Sequence, residues 1–93
     1  AELGVCALVL EKVPSSLAQK VSEMIAVPVI GIGAGADVDG QVLVLQDMLG
    51  MDESFRPKFV RRFAMLGEQI TAGISSYVSD VKDKSFPSQD ESY

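Results

Sequence analysis

The chain has 93 residues, no histidine, one cysteine and a formal net charge of −5. That length allows one small domain at most. The missing histidine excludes His-based acid–base catalysis and His metal ligation by this segment, and neither half has the basic excess of a nucleic-acid binder. At 47% hydrophobic residues, the chain is richer in apolar surface than a few short elements can bury. It begins with Ala1 rather than Met. The expectation is therefore a C-terminal fragment of a larger fold, its excess apolar surface covered by the remainder or by partner chains. The longest uncharged stretch, Met24 to Ala36, is too short and too glycine-rich to span a bilayer.

Val5 to Leu10 is a continuous apolar run, which suits a strand over 5–10 buried on both faces, as parallel strands are. Cys6 lies inside it and reads as a buried core thiol rather than a reactive one. Glu11 ends the run. Pro14 stops extended pairing, and Ser15 or Ser16 is available to cap a helix over 15–26. Leu17, Val21, Met24 and Ile25 give that helix one apolar face. A second strand is expected over 27–32, with Pro28 tolerable at its start. A right-handed crossover makes the two strands parallel neighbours. Gly31, Gly33 and Gly35 alternate at its end, and Asp37 to Gly40 reads as a turn. A short helix is expected over 42–49. Phe59, Phe63, Leu66, Ile70, Ile74, Tyr77 and Val81 recur every three or four residues and predict a long amphipathic helix over 58–81. Gly67 and Gly73 inside it each lower helix propensity by roughly 1 kcal/mol, which suggests close packing at both. The tail, 82–93, is polar and expected to be extended or partly mobile.

The order strand, carboxylate, helix, strand, glycine loop is that of a βαβ unit in a parallel α/β fold, where reacting groups collect at the C-terminal ends of strands. Glu11 is the leading catalytic candidate: a partly desolvated carboxylate at a strand end is suited to act as a general base. The alternative is a rim glutamate paired with a lysine or capping a helix, and pattern alone leaves the two open. The GIGAG segment also has two readings. Its backbone amides suit an anion if a helix follows; otherwise its glycines let the loop pack tightly under a substrate or a neighbouring loop. It lacks the spacing of the dinucleotide fingerprint. Asp37, Asp39 and Asp47 read as solvated or capping residues before they read as a metal site. Arg56, Lys58, Arg61 and Arg62 form a basic cluster that reads as a solvated helix face, and Tyr77 and the phenylalanines read as core or interface residues.

Taken together, LVLEKVP (Leu8 to Pro14), VPVIGIGAG (Val27 to Gly35), DGQVLVLQDMLG (Asp39 to Gly50), KFVRRF (Lys58 to Phe63) and FPSQDESY (Phe86 to Tyr93) resemble the ketopantoate hydroxymethyltransferase family. The match runs in order through nearly the whole chain. The resemblance implies a (β/α)8 barrel of the phosphoenolpyruvate/pyruvate type, to which this chain would supply two parallel strands and closing helices. It implies transfer of a hydroxymethyl group from 5,10-methylenetetrahydrofolate to 3-methyl-2-oxobutanoate in pantothenate, hence coenzyme A, biosynthesis. It implies Mg2+ chelated by the substrate's oxygens, with metal ligands outside this chain, and a homo-oligomer. The family's proton-abstracting glutamate maps onto Glu11, and Gly31, Gly33 and Gly35 become a substrate-proximal loop. The expected compartment is the cytoplasm or, in a eukaryote, the mitochondrion; no nucleic-acid or membrane partner is expected. One departure stands in the tail, where Glu91 occupies the place of the family's histidine. The competing function is a non-catalytic α/β assembly or an anion-binding module using the GIGAG loop. The isolated chain is expected to be inactive.

Overall fold

The computed structural model describes residues 2–93. Three parallel strands form one sheet in the order β1 (Leu8–Glu11), β2 (Val29–Ile32), β3 (Gly40–Gln41). The helix α1 (Ser15–Met24) crosses from β1 to β2. Leu8 pairs with Val29 and Glu11 with Ile32, so the first two strands end level. The ladder continues past its ends, from the Leu8 N–H to the Pro28 carbonyl at 2.9 Å and from the Lys12 N–H to the Ile32 carbonyl at 2.8 Å. Pro28, which has no N–H to donate, thus stands just before β2.

The first strand begins at Leu8, not at Val5, and the expectation of a buried Cys6 is overturned. Residues 2–7 lie outside the sheet, and Cys6 is exposed. Helix α1 starts without a serine cap. Pro14 holds the capping position, and its carbonyl accepts from the Leu17 and Ala18 N–H groups. It ends at Met24, two residues earlier than its apolar spacing predicts. Ala18 and Val29 are fully buried where helix meets sheet, whereas Met24 is 82% exposed.

The third strand was not foreseen. Only two residues long, it carries no readable hydrophobic period and depends on backbone and side-chain bonds. Asp39 N–H donates to the Val29 carbonyl at 3.0 Å, and Val42 N–H to the Gly31 carbonyl at 3.0 Å. The Asp39 carboxylate accepts from the Val29 N–H at 2.8 Å and from the Ser22 hydroxyl at 3.2 Å. Asp39 therefore joins helix, sheet and loop. The helix expected over 42–49 is a single turn, α2 (Leu45–Met48), because Val42 is still bonded to the sheet.

The long helix, α3 (Leu66–Lys82), begins eight residues later than predicted. The reason is competition for backbone donors. Phe63 N–H donates to the Met48 carbonyl at 2.7 Å, Leu66 N–H to Leu49 at 3.0 Å and Gly67 N–H to Gly50 at 2.9 Å. Those long-range bonds pin residues 63–67 against 48–50, and the chain between them, 51–62, forms a closed loop. Gly50 has φ +64°, and a Cβ on Gly67 would sit 2.9 Å from the Gly50 carbonyl oxygen, so this clasp needs glycine on both sides. Gly73 has open space around it, so the close packing expected there is absent. Beyond Gly67, every residue of α3 is exposed. The radius of gyration is 21.4 Å and the extents are 64 × 29 × 16 Å. A compact chain of this length has a radius near 12 Å, so α3 projects away from the sheet. The tail is not uniformly extended: Gln89–Glu91 forms a 3-10 turn, and Glu91 accepts from the Ser88 amide and hydroxyl at 3.1 and 2.9 Å.

Candidate active site

An open cleft of about 1130 Å³ lies at the C-terminal ends of the strands. It is lined by Glu11, Lys12, Gly33, Gly35, Gln41 and the loop residues Phe55 to Phe59, among others. Side chains alternate along a strand, so Val9 and Glu11 share the face that carries Ile30 and Ile32. Leu8, Leu10 and Val29 lie on the other. Val9 is 59% exposed, and Glu11 is exposed as well. The desolvation expected around Glu11 is not supplied by this chain. Glu11 instead stands on an open sheet face beside a turn. Lys12, directly after it, takes φ +52°, a left-handed conformation that costs a non-glycine residue roughly 1–3 kcal/mol. That turn ends β1 and carries the chain along the cleft wall towards α1.

The glycine loop reaches the same cleft, but its three glycines divide. Gly33 and Gly35 line it; Gly31 is buried in the sheet. Gly33 has φ +65°, and a Cβ there would meet the Phe59 ring at 2.9 Å. Gly35 has φ +84°, and its Cβ would overlap the Cβ of Ser15. No helix starts after the loop; the next element is β3. The geometry therefore favours tight packing over an anion cradle at a helix N-terminus. Gln41 braces the loop from the neighbouring strand, its side-chain amide donating to the Gly35 carbonyl at 2.7 Å.

The basic cluster does not form the solvated helix face expected of Arg56 and Lys58. They lie on the 51–62 loop and line the cleft. Nothing local in the sequence signals this, because their placement depends on the clasp between residues 48–50 and 63–67. Arg62 is used differently, donating to the carbonyls of Asp52 and Glu53 at 3.1 and 2.9 Å. Asp52 turns the loop by accepting from the Ser54 hydroxyl at 2.7 Å and amide at 3.0 Å. The hydroxyl bond, followed by the amide bond, holds its carboxyl below the usual aspartate range. Asp39 is engaged by Val29 and Ser22. Among the described residues, no three His, Cys, Asp or Glu side chains group together.

Residues 1–89 match the model of the ketopantoate hydroxymethyltransferase family. The chain belongs to that family. Similar relatives bear the name 3-methyl-2-oxobutanoate hydroxymethyltransferase. The one from Bacteroides fragilis is 59% identical over 92 residues, covering 99% of this chain and 34% of the relative. Those from Chlorobaculum tepidum and Parabacteroides distasonis are 58% and 54% identical over the same length, covering 33% and 34% of the relative. The chain thus spans about a third of the length of these curated relatives. Among the described residues, no helix is long and apolar enough to cross a membrane.

Proposed function

We propose that this chain contributes the general base and one wall of the cleft in a 3-methyl-2-oxobutanoate hydroxymethyltransferase. The observation that carries the reading is the meeting of Glu11 with Lys12, Arg56 and Lys58 in one cleft at the strand ends. A keto acid needs a cation for its carboxylate and a carboxylate base at the carbon beside the carbonyl. Glu11 removes the proton from C3 of 3-methyl-2-oxobutanoate. The electron pair left behind forms the new bond to the methylene carbon of 5,10-methylenetetrahydrofolate; both bonds from that carbon to the donor's nitrogens break, water supplies the hydroxyl, and the proton taken by Glu11 and the remaining proton of water go to the two freed nitrogens. The open face bearing Val9 and Glu11 becomes the inner wall of a (β/α)8 barrel, with the exposed strand edges paired to further strands. Homo-oligomer formation belongs to the same reading, supported by the apolar residues exposed on α3, Ile70, Ile74, Tyr77 and Val81.

Magnesium takes several oxygen ligands. This cleft offers one carboxylate, Glu11, among three cationic side chains. Its own residues do not fit a magnesium ion.

The test is Glu11→Gln in the active enzyme that carries this chain. Removing a general base costs about 10²–10⁴-fold in rate, so deuterium exchange at C3 of the keto acid should fall by that factor. Exchange at the unaltered rate would overturn the assignment.

A further inference from the structure

We propose that Arg56 and Lys58 determine specificity for the one-carbon donor by taking the carboxylate end of its glutamyl tail. The inference rests on the reading that a keto acid sits against Glu11. The cations of the 51–62 loop are not equivalent. Arg62 serves the fold through the carbonyls of Asp52 and Glu53, and Arg61 lies over the Phe63 ring at 5.8 Å. Arg56 and Lys58 do neither. Both are exposed and line the cleft, and among the described residues no carboxylate stands within ion-pair distance of them.

Charge then argues for an anionic ligand. With Lys12, the cleft sets three cations against one carboxylate, in a chain whose formal net charge is −5. A local positive region in an acidic chain concentrates anions. A five-carbon keto acid brings a single carboxylate, which leaves cationic charge in excess. That excess suits a second ligand that ends in carboxylates. Phe55, beside Arg56 in the same cleft and 55% exposed, offers it an apolar surface. A guanidinium grips a carboxylate through two parallel hydrogen bonds. The loop is also held in advance, by the backbone clasp at its base and by the Asp52–Ser54 turn, so less ordering is left for binding.

The probes are tetrahydrofolate and tetrahydropteroate, which differ by the glutamyl carboxylates. Their affinities for the active enzyme are compared by calorimetry. The unaltered enzyme should bind tetrahydrofolate the more tightly, and Arg56→Gln should lose about 10–100-fold of that preference, the worth of one charge-assisted hydrogen-bonding group. Lys58→Met should lose part of it, and Arg56→Lys should restore part. In kinetics, the donor KM of Arg56→Gln should rise by more than its keto-acid KM. An unaltered enzyme that does not distinguish the two probes, or an Arg56→Gln variant that distinguishes them as well as before, overturns the proposal. Deuterium exchange at C3 without donor reports separately on Glu11. Exchange lost in Glu11→Gln with no preference between probes sinks this inference alone; a preference lost in Arg56→Gln with exchange intact in Glu11→Gln sinks the base assignment alone.

Discussion

The sheet with its cleft and the helix α3 solve opposite problems. Around the cleft, the chain is held by backbone bonds between distant residues and by glycines that meet another group wherever a Cβ would be built: Gly33 against Phe59, Gly35 against Ser15, Gly67 against Gly50. Along α3, the bonds are local, Gly73 faces open space, and Ile74 is 60% exposed. A position in the first region is defined by what lies across from it. A position in the second is defined within this chain chiefly by helix propensity, Tyr77 against Phe86 at 5.7 Å being the exception. Substitutions at glycine should separate the two regions by sign.

The largest effect is expected at Gly35. A valine there meets both the left-handed backbone penalty and overlap with Ser15, together roughly 2–5 kcal/mol; urea unfolding of the enzyme carrying the change measures it, and an unshifted midpoint would contradict the packed-loop geometry. Next come two changes of roughly 1–3 kcal/mol each. Gly67→Ala presses a methyl group against the Gly50 carbonyl. Asp39→Ala strips the acceptor from the Val29 N–H, leaving it unpaired in the sheet; faster amide exchange at Val29 than at Ile30 would single out this cause. Gly73→Ala should go the other way in the chain itself, where no neighbour meets a Cβ, favouring α3 by about 0.5–1 kcal/mol. If Gly67→Ala and Gly73→Ala shift the midpoint in the same direction, the contrast between the two regions fails.

The smallest effect is a pH dependence in the 52–54 turn. The Asp52 carboxyl is held down in the folded state by Ser54. A depressed folded value means its contribution is present above the unfolded value and fades as pH falls through the folded one. The group is fully exposed, so the change is local. Protection of the Ser54 amide should persist through the ordinary aspartate range and disappear only in stronger acid. Loss at the ordinary aspartate midpoint would mean that the turn does not hold.

What could be read in the residues follows the same divide. The β1–α1–β2 unit is written in local periods, an apolar run, a face at helical spacing and a second apolar run, so its order was legible and its ends were off by at most three residues. That Glu11, Gly33 and Gly35 would meet at one cleft was legible, because strand ends are where α/β folds gather such groups; Gly31 is buried in the sheet instead. The cleft residues Arg56 and Lys58 were not. Phe59 and Phe63 continue the helical period of α3 faithfully, yet the donors of Phe63, Leu66 and Gly67 go to residues 48–50. A period reports what a segment would do alone, and no local count shows a distant carbonyl that competes for its N–H groups.

Leu66 and Gly67 belong to two things at once. They close the 51–62 loop, and they are the first two residues of α3. In kinematic terms the Gly50–Gly67 contact is one pivot with two arms, one bearing Arg56 and Lys58 over the cleft and the other bearing the apolar ridge of α3. The point where α3 departs and the base of the cationic loop therefore share one anchor, and a change at Gly50 or Gly67 reaches both.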